Sequence, residues 1–156
     1  MDVYHSEQSG EVTFEALLQA AEDAEQRFIL GSFLQMETEG KALIRPALMK
    51  LGLPIVDDPD ARSKGVVGVS ELNDLPWTDR FGLMAKVTEA RYLPKYEELA
   101  SLIAEEDDPE AYRLAKFMGD HERAIIEAFE NIAAGRPDPI APVVSLLTFP
   151  LAPPQA

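Results

Sequence analysis

The stretch Asp108–Ala134, DPEAYRLAKFMGDHERAIIEAFENIAA, decides how the chain is read. Leu114, Met118, His121, Ile125, Ala128 and Ile132 recur at alternating steps of four and three, which turns one face of a helix toward a helical core. His121 falls inside this apolar seam, and Glu122 flanks the same face. A buried imidazole or carboxyl raises the free energy unless it is paired, so the two side by side on an oily face need a reason. Asp108-Pro109-Glu110 is a start signal: a cap, a proline at the first position and an acid at the positive end of the helix dipole. Gly135 is the natural stop.

Upstream, a first helix is expected over residues 10–21, capped by Ser9, with Phe14, Leu17, Leu18 and Ala21 inward and Glu11 on the same face. Residues 1–8 read as a loose or docked arm. A second helix is expected over 24–51, capped by Asp23. Its seam is Ile29, Phe33, Met36, Gly40, Leu43 and Ala47, and Glu37 borders it. Gly40 lowers helix propensity by about 1 kcal/mol relative to Ala, which suggests the close approach of another backbone. Pro46 should bend this helix, and Gly52 with Pro54 should end it.

Residues 52–76 have little helical period and read as a long connection, with 66–69 as a turn or strand fragment. The second helix is about 40 Å long, and such a connection can stretch to roughly 80 Å, enough for the third helix to run parallel to the second. That third helix is expected over 77–104, with Phe81, Met84, Thr88, Tyr92, Leu99 and Ile103 inward, Glu89 on the flank and a kink around Ala90 to Pro94. The fourth is 108–134. The tail, 136–156, holds six prolines, yet its VVSLLTFPL segment is too apolar for water and should dock on the bundle or on a second copy.

These elements make one all-α domain, 1–156: a four-helix bundle with one long crossover between helices 2 and 3 and a docked, Pro-rich C-terminal tail. The net charge of −14, from 28 acidic and 14 basic residues, argues against nucleic acid or an anionic membrane as partner and favours cations. Without cysteine there is neither a disulfide nor a thiolate ligand, and the default compartment is the cytoplasm. No apolar run nears the roughly 20 residues that span a bilayer. With only His5 and His121 available, any metal site is rich in carboxylates. No glycine-rich phosphate loop and no Gly-x-Ser-x-Gly elbow is found.

One acid leans inward on each expected helix, Glu11, Glu37, Glu89 and Glu122, with His121 beside the last. Carboxylates and an imidazole converging in a bundle core suit non-haem iron or manganese. In this pattern the chain resembles the ferritin-like superfamily of four-helix bundles, over roughly residues 9–135. The resemblance implies a metal centre with one Glu on the first and third helices, here Glu11 and Glu89, and Glu-x-x-His on the second and fourth. Glu37 supplies the Glu of the second helix, but Gly40 stands in the His position. His121 supplies the His of the fourth, but Met118 stands in the Glu position.

Three functions follow. The first is a metal-binding protein or oxidoreductase using Glu11, Glu37, Glu89, His121 and Glu122 around iron or manganese. The second is a metal-free module that binds a small molecule or a protein in the vacated core. The third is a structural homodimer. Each residue also has a plainer reading: His121 as a hydrogen-bonded core residue, Glu11 as a first-turn acid, Glu37 as a partner of Lys41, and Tyr92, Tyr96 and Trp77 as core and rim aromatics.

Overall fold

The computed structural model describes residues 1–155, leaving the side chains of Ala61 and Lys64 undescribed. Ala156, the end of the expected tail, lies outside the described residues. The chain is all-α: α1 Asp2–Gln19, α2 Ala24–Lys50, α3 Pro59–Asn73, α4 Trp77–Arg91, α5 Leu93–Ser101, α6 Pro109–Ala133 and the short α7 Ala141–Val144. Among the described residues there is no strand, and no helix is long and apolar enough to cross a membrane.

Residues 1–8 are not an arm. They are the first two turns of α1, and Tyr4, Glu7 and Gln8 are buried. Tyr4, Glu7, Glu11, Phe14 and Leu18 continue one face at helical spacing, so burial of Tyr4 carries the helix past Ser9 to the terminus. Nor is 52–76 structureless. Asp58 caps α3 by accepting from the Asp60 amide at 2.9 Å, and Pro59 occupies its first turn. The fully buried Gln8 amide clasps the Asp58 backbone in both directions, at 3.1 and 2.9 Å. Gly65 then lets α3 approach α1 closely: a Cβ there would lie 2.9 Å from the Ser9 carbonyl oxygen. Val69 and Leu72 join the core. Packing against α1 overrides the poor helix propensity of the Gly- and Val-rich segment.

Helix α2 runs unbroken past Pro46. Its buried face passes from Met36 and Gly40 to Ile44 and Leu48, while Leu43, expected inward, is exposed. The face shifts by one residue because 3.6 residues per turn outruns a strict 3.5 repeat. Gly52 and Gly135 end α2 and α6 with φ of 67° and 63°, which glycine adopts without a Cβ penalty. At both ends the next amide reaches back, Leu53 to Leu48 and Arg136 to Asn131, each at 2.9 Å. The expected third helix is two, α4 and α5. They part at Tyr92, and Pro94 sits in the first turn of α5, where its missing N–H costs nothing.

Side-chain contacts give the helix directions. Gly40 lies against Glu7, Gly10 against Glu37 and Phe33 against Phe14, so α1 and α2 are antiparallel. Phe33 also meets Phe81 and Phe129, whereas Glu7 meets Tyr96 and His121. From the phenylalanine level to the Glu7 level, numbering rises along α2 and from α4 into α5, and falls along α1 and α6. Hence α2 and α4–α5 run parallel, with α3 part of the passage between them.

The core has two apolar parts. In one, Phe14 stacks on Phe33 at 4.9 Å between ring centres, Phe33 lies 4.9 Å from Phe129, and Trp77 meets Phe81 edge-on at 4.8 Å. The other holds Tyr4, Ile44, Leu48, Tyr96 and Met118. The tail docks as expected on the first part, through Ile140, Val143 and Leu147. Glu39 secures it by accepting from the Thr148 and Phe149 amides at 2.7 and 2.9 Å.

Candidate metal centre

Between the two apolar parts lies a polar layer. On α1, Glu7 stands between Tyr4 and Phe14. On α2, Glu37 stands between Met36 and Ile44. On α6, His121 and Glu122 stand between Met118 and Ile125. Each helix thus changes from oil to polar and back within about two to three turns, which places the four side chains near one level.

Glu7 is completely enclosed. Its Oε1 accepts from the Tyr96 hydroxyl at 2.5 Å, and its Oε2 lies 3.4 Å from His121 Nε2. The same Nε2–H donates to the Met36 carbonyl at 3.2 Å, which orients the ring. Among the described residues, Glu7 Oε2 and His121 Nδ1 have no hydrogen-bond partner. Ligand atoms of Glu7, His121 and Glu122 all lie within 4.8 Å of one another.

Two glycines make room for the acids. A Cβ at Gly40 would collide with Glu7 Oε2 and come 3.2 Å from His121 Nε2. A Cβ at Gly10 would collide with the Glu37 carboxyl. Gly40, at a position expected to admit a backbone, admits a carboxyl and an imidazole.

The distance between Glu7 and His121 would suit an ion pair, but burial makes both neutral near pH 7. Loss of water, the largest influence, raises Glu7 to about 8 against the Tyr96 hydroxyl, with the Glu11 charge adding to it. Burial lowers His121 to about 4, although the Met36 carbonyl favours its charged form. Glu122 is pushed well up by burial and then by Glu7. Glu37 is pushed well up by burial, then by Glu7, Glu122 and Glu11. Tyr96 is likewise raised, so its hydroxyl stays a donor.

Of the residues singled out in the sequence, Glu37, His121 and Glu122 come together in this layer. Glu11 and Glu89 do not. Glu11 is half-buried and held outward, its carboxylate receiving Lys41 Nζ at 2.6 Å and Thr38 Oγ1 at 2.7 Å. Lys41 therefore belongs to Glu11 rather than to Glu37. Glu89 is exposed on α4, since the buried Phe81 and Ala85, with the half-buried Met84 and Thr88, take the inward side of that helix. In place of an acid, the fourth rod offers Tyr96. Glu7 escaped sequence reading because an acidic, polar start looked solvated. The signal was the run Tyr4, Glu7, Glu11, Phe14, which continues the α1 face.

Two glutamates and one imidazole with ligand atoms within 4.8 Å of one another in a dry layer form a donor set for a hard or borderline divalent cation. Compared with the models of known protein families, with curated proteins and with solved structures, the chain finds no match.

Proposed function

We propose that the chain is a ferritin-like, non-haem metal-binding protein that takes a divalent ion, iron or manganese, among Glu7, His121 and Glu122. The observation behind this reading is that ligand atoms of Glu7, His121 and Glu122 lie within 4.8 Å of one another in a buried layer where Glu7 Oε2 and His121 Nδ1 lack hydrogen-bond partners among the described residues. Burying such groups unpaired is costly, and a cation held by the three residues lowers that cost while stabilising the ionised carboxylates. The net charge of −14 draws cations in. Met36 and Tyr96 would serve as outer supports, one orienting the imidazole and the other Glu7. The antiparallel and parallel helix directions, with a long passage after α2, support the ferritin-like assignment. When bound, such an ion supplies Lewis acidity or redox chemistry.

The test is metal content and uptake. Protein purified without chelator or metal-affinity resin is measured by elemental analysis. Chelator-treated protein is then titrated anaerobically with Fe²⁺ and with Mn²⁺ while melting is followed. Stoichiometric uptake and a raised Tm, both lost in Glu7→Gln and His121→Ala, support the reading. A wild type that neither holds metal nor shifts its melting with either ion overturns it.

The metal-free alternative, a small-molecule-binding module, is favoured by one observation, an apolar cavity beside the polar layer.

A further inference from the structure

That cavity has a volume of about 610 Å³ and lies between α1, α3, α4 and α6, within the range of small-molecule sites. Its walls are mostly apolar and include Phe14, Leu72, Met84, Val87, Ile125 and Phe129. Glu37, Glu122, Tyr92 and Tyr96 also line it, and they give it one polar end; Glu7 and His121 are not among its lining residues. Glu37 is 7% exposed and Glu122 is 5% exposed. Among the described residues, neither carboxyl receives a hydrogen bond. Both carboxyls thus border a mostly apolar space, which Arg91 also lines.

Whatever fills this space must bring donors to the carboxyls and carbon to the walls. A carboxylate head would crowd a further negative charge among acids that already raise one another. A hydroxyl brings a single donor. An ammonium brings three, with the charge that carboxylates hold best. We propose that the cavity binds a small amphipathic amine, its apolar body along Phe14, Met84 and Phe129 and its ammonium at Glu37 and Glu122. The inference shares Glu122 with the metal reading, whereas Glu37 and the cavity belong to the amine site alone and Glu7 and His121 to the metal centre alone.

The test is calorimetric titration of the full chain, both chelator-treated and Mn²⁺-loaded, with octylamine, octan-1-ol and octanoate. Octylamine should bind about ten-fold tighter or more than the other two, the scale of one charge-assisted contact. Glu37→Gln should remove that preference. Val87→Trp, at the half-open rim, should block all three probes while metal uptake is unchanged. Equal affinity for octanoate or octan-1-ol, no binding of octylamine, or a preference that survives in Glu37→Gln overturns the proposal. Metal uptake measured on the same samples separates the two readings: amine binding without uptake sinks only the metal centre, and uptake without amine preference sinks only the amine site.

Discussion

The Glu7 carboxyl faces the His121 imidazole at 3.4 Å, 1% or less of either side chain is exposed, and near pH 7 neither is charged. An acid and a base this close would ordinarily exchange a proton and attract. Here the loss of water opposes both charges, and the pair stays neutral until something else supplies compensation.

The first prediction concerns pH. Glu7 has a folded value of about 8 against an ordinary 4.5, so between these values the folded chain holds more protons than the unfolded. Stability from this group is complete below 4.5 and falls as pH rises to 8. Glu37 and Glu122, also raised, act in the same direction. His121 is lowered from 6.5 to about 4, so its contribution rises with pH over that window and partly offsets the acids. Above 6.5 the decline is unopposed. Chelator-treated protein should therefore lose Tm steadily between pH 6.5 and 8, and Glu7→Gln should flatten that slope. A wild-type Tm that rises across this range would show that the acids are already ionised.

The second prediction contrasts two glycines. Gly40→Ala gains about 1 kcal/mol of helix propensity, yet its Cβ strikes a carboxyl held by Tyr96 and hemmed by His121. Gly10→Ala strikes the Glu37 carboxyl, which borders the cavity and has space to swing into. Gly40→Ala should lower stability by about 1–3 kcal/mol, the usual cost of overpacking, and abolish metal uptake. Gly10→Ala should change stability by about half as much or less. Denaturant titration of both variants decides it, and equal losses would mean that Glu7 is not pinned.

Much of this arrangement was legible in the sequence. The α6 seam with His121 inside it, the Asp23 and Asp108 caps, the Gly135 stop and the docking of the tail could all be read from spacing and turn chemistry. The break between α4 and α5 was foreshadowed by Pro94. Two misses share one cause, which is that burial decided against local signals. Polar residues 1–8 became helix because Tyr4 and Gln8 are buried against their surroundings, and Gly-rich 59–73 became helix because it lies on α1. Glu89 looked like an inward acid because Thr88 and Glu89 are adjacent and the angular placement of a flank is finely balanced. Tyr96 could not be joined to Glu7 from the sequence, because their contact spans 89 positions and two helices.

The third prediction concerns the tail. Removing residues 140–156 takes Ile140, Val143 and Leu147 out of the core, at roughly 1.5–3 kcal/mol for each large side chain. The truncated chain should melt far lower or aggregate. Glu39→Ala, which frees the Thr148 and Phe149 amides and the Gln35 side-chain amide, should cost about 1–3 kcal/mol and speed proteolysis near Phe149. A truncation that melts like the full chain would show that α7 is dispensable.

The last prediction isolates the Tyr96 hydroxyl. It donates to Glu7 at 2.5 Å, and its own value is pushed upward by burial and by Glu7, Glu122 and Glu37 in turn, so it remains a donor into alkaline solution. Tyr96→Phe leaves the ring in its apolar surroundings but removes the only donor to Glu7 Oε1 among the described residues. A carboxyl left unpaired in a dry layer costs about 1–3 kcal/mol. The hydroxyl also lowers the Glu7 value, so its removal should push Glu7 higher still and shift metal uptake to higher pH. The double variant Glu7→Leu with Tyr96→Phe has neither orphan, so its stability loss should fall below the two single losses combined. Additive losses, with an unmoved pH profile of uptake, would mean that the short contact carries no energy and that Glu7 is positioned by packing alone.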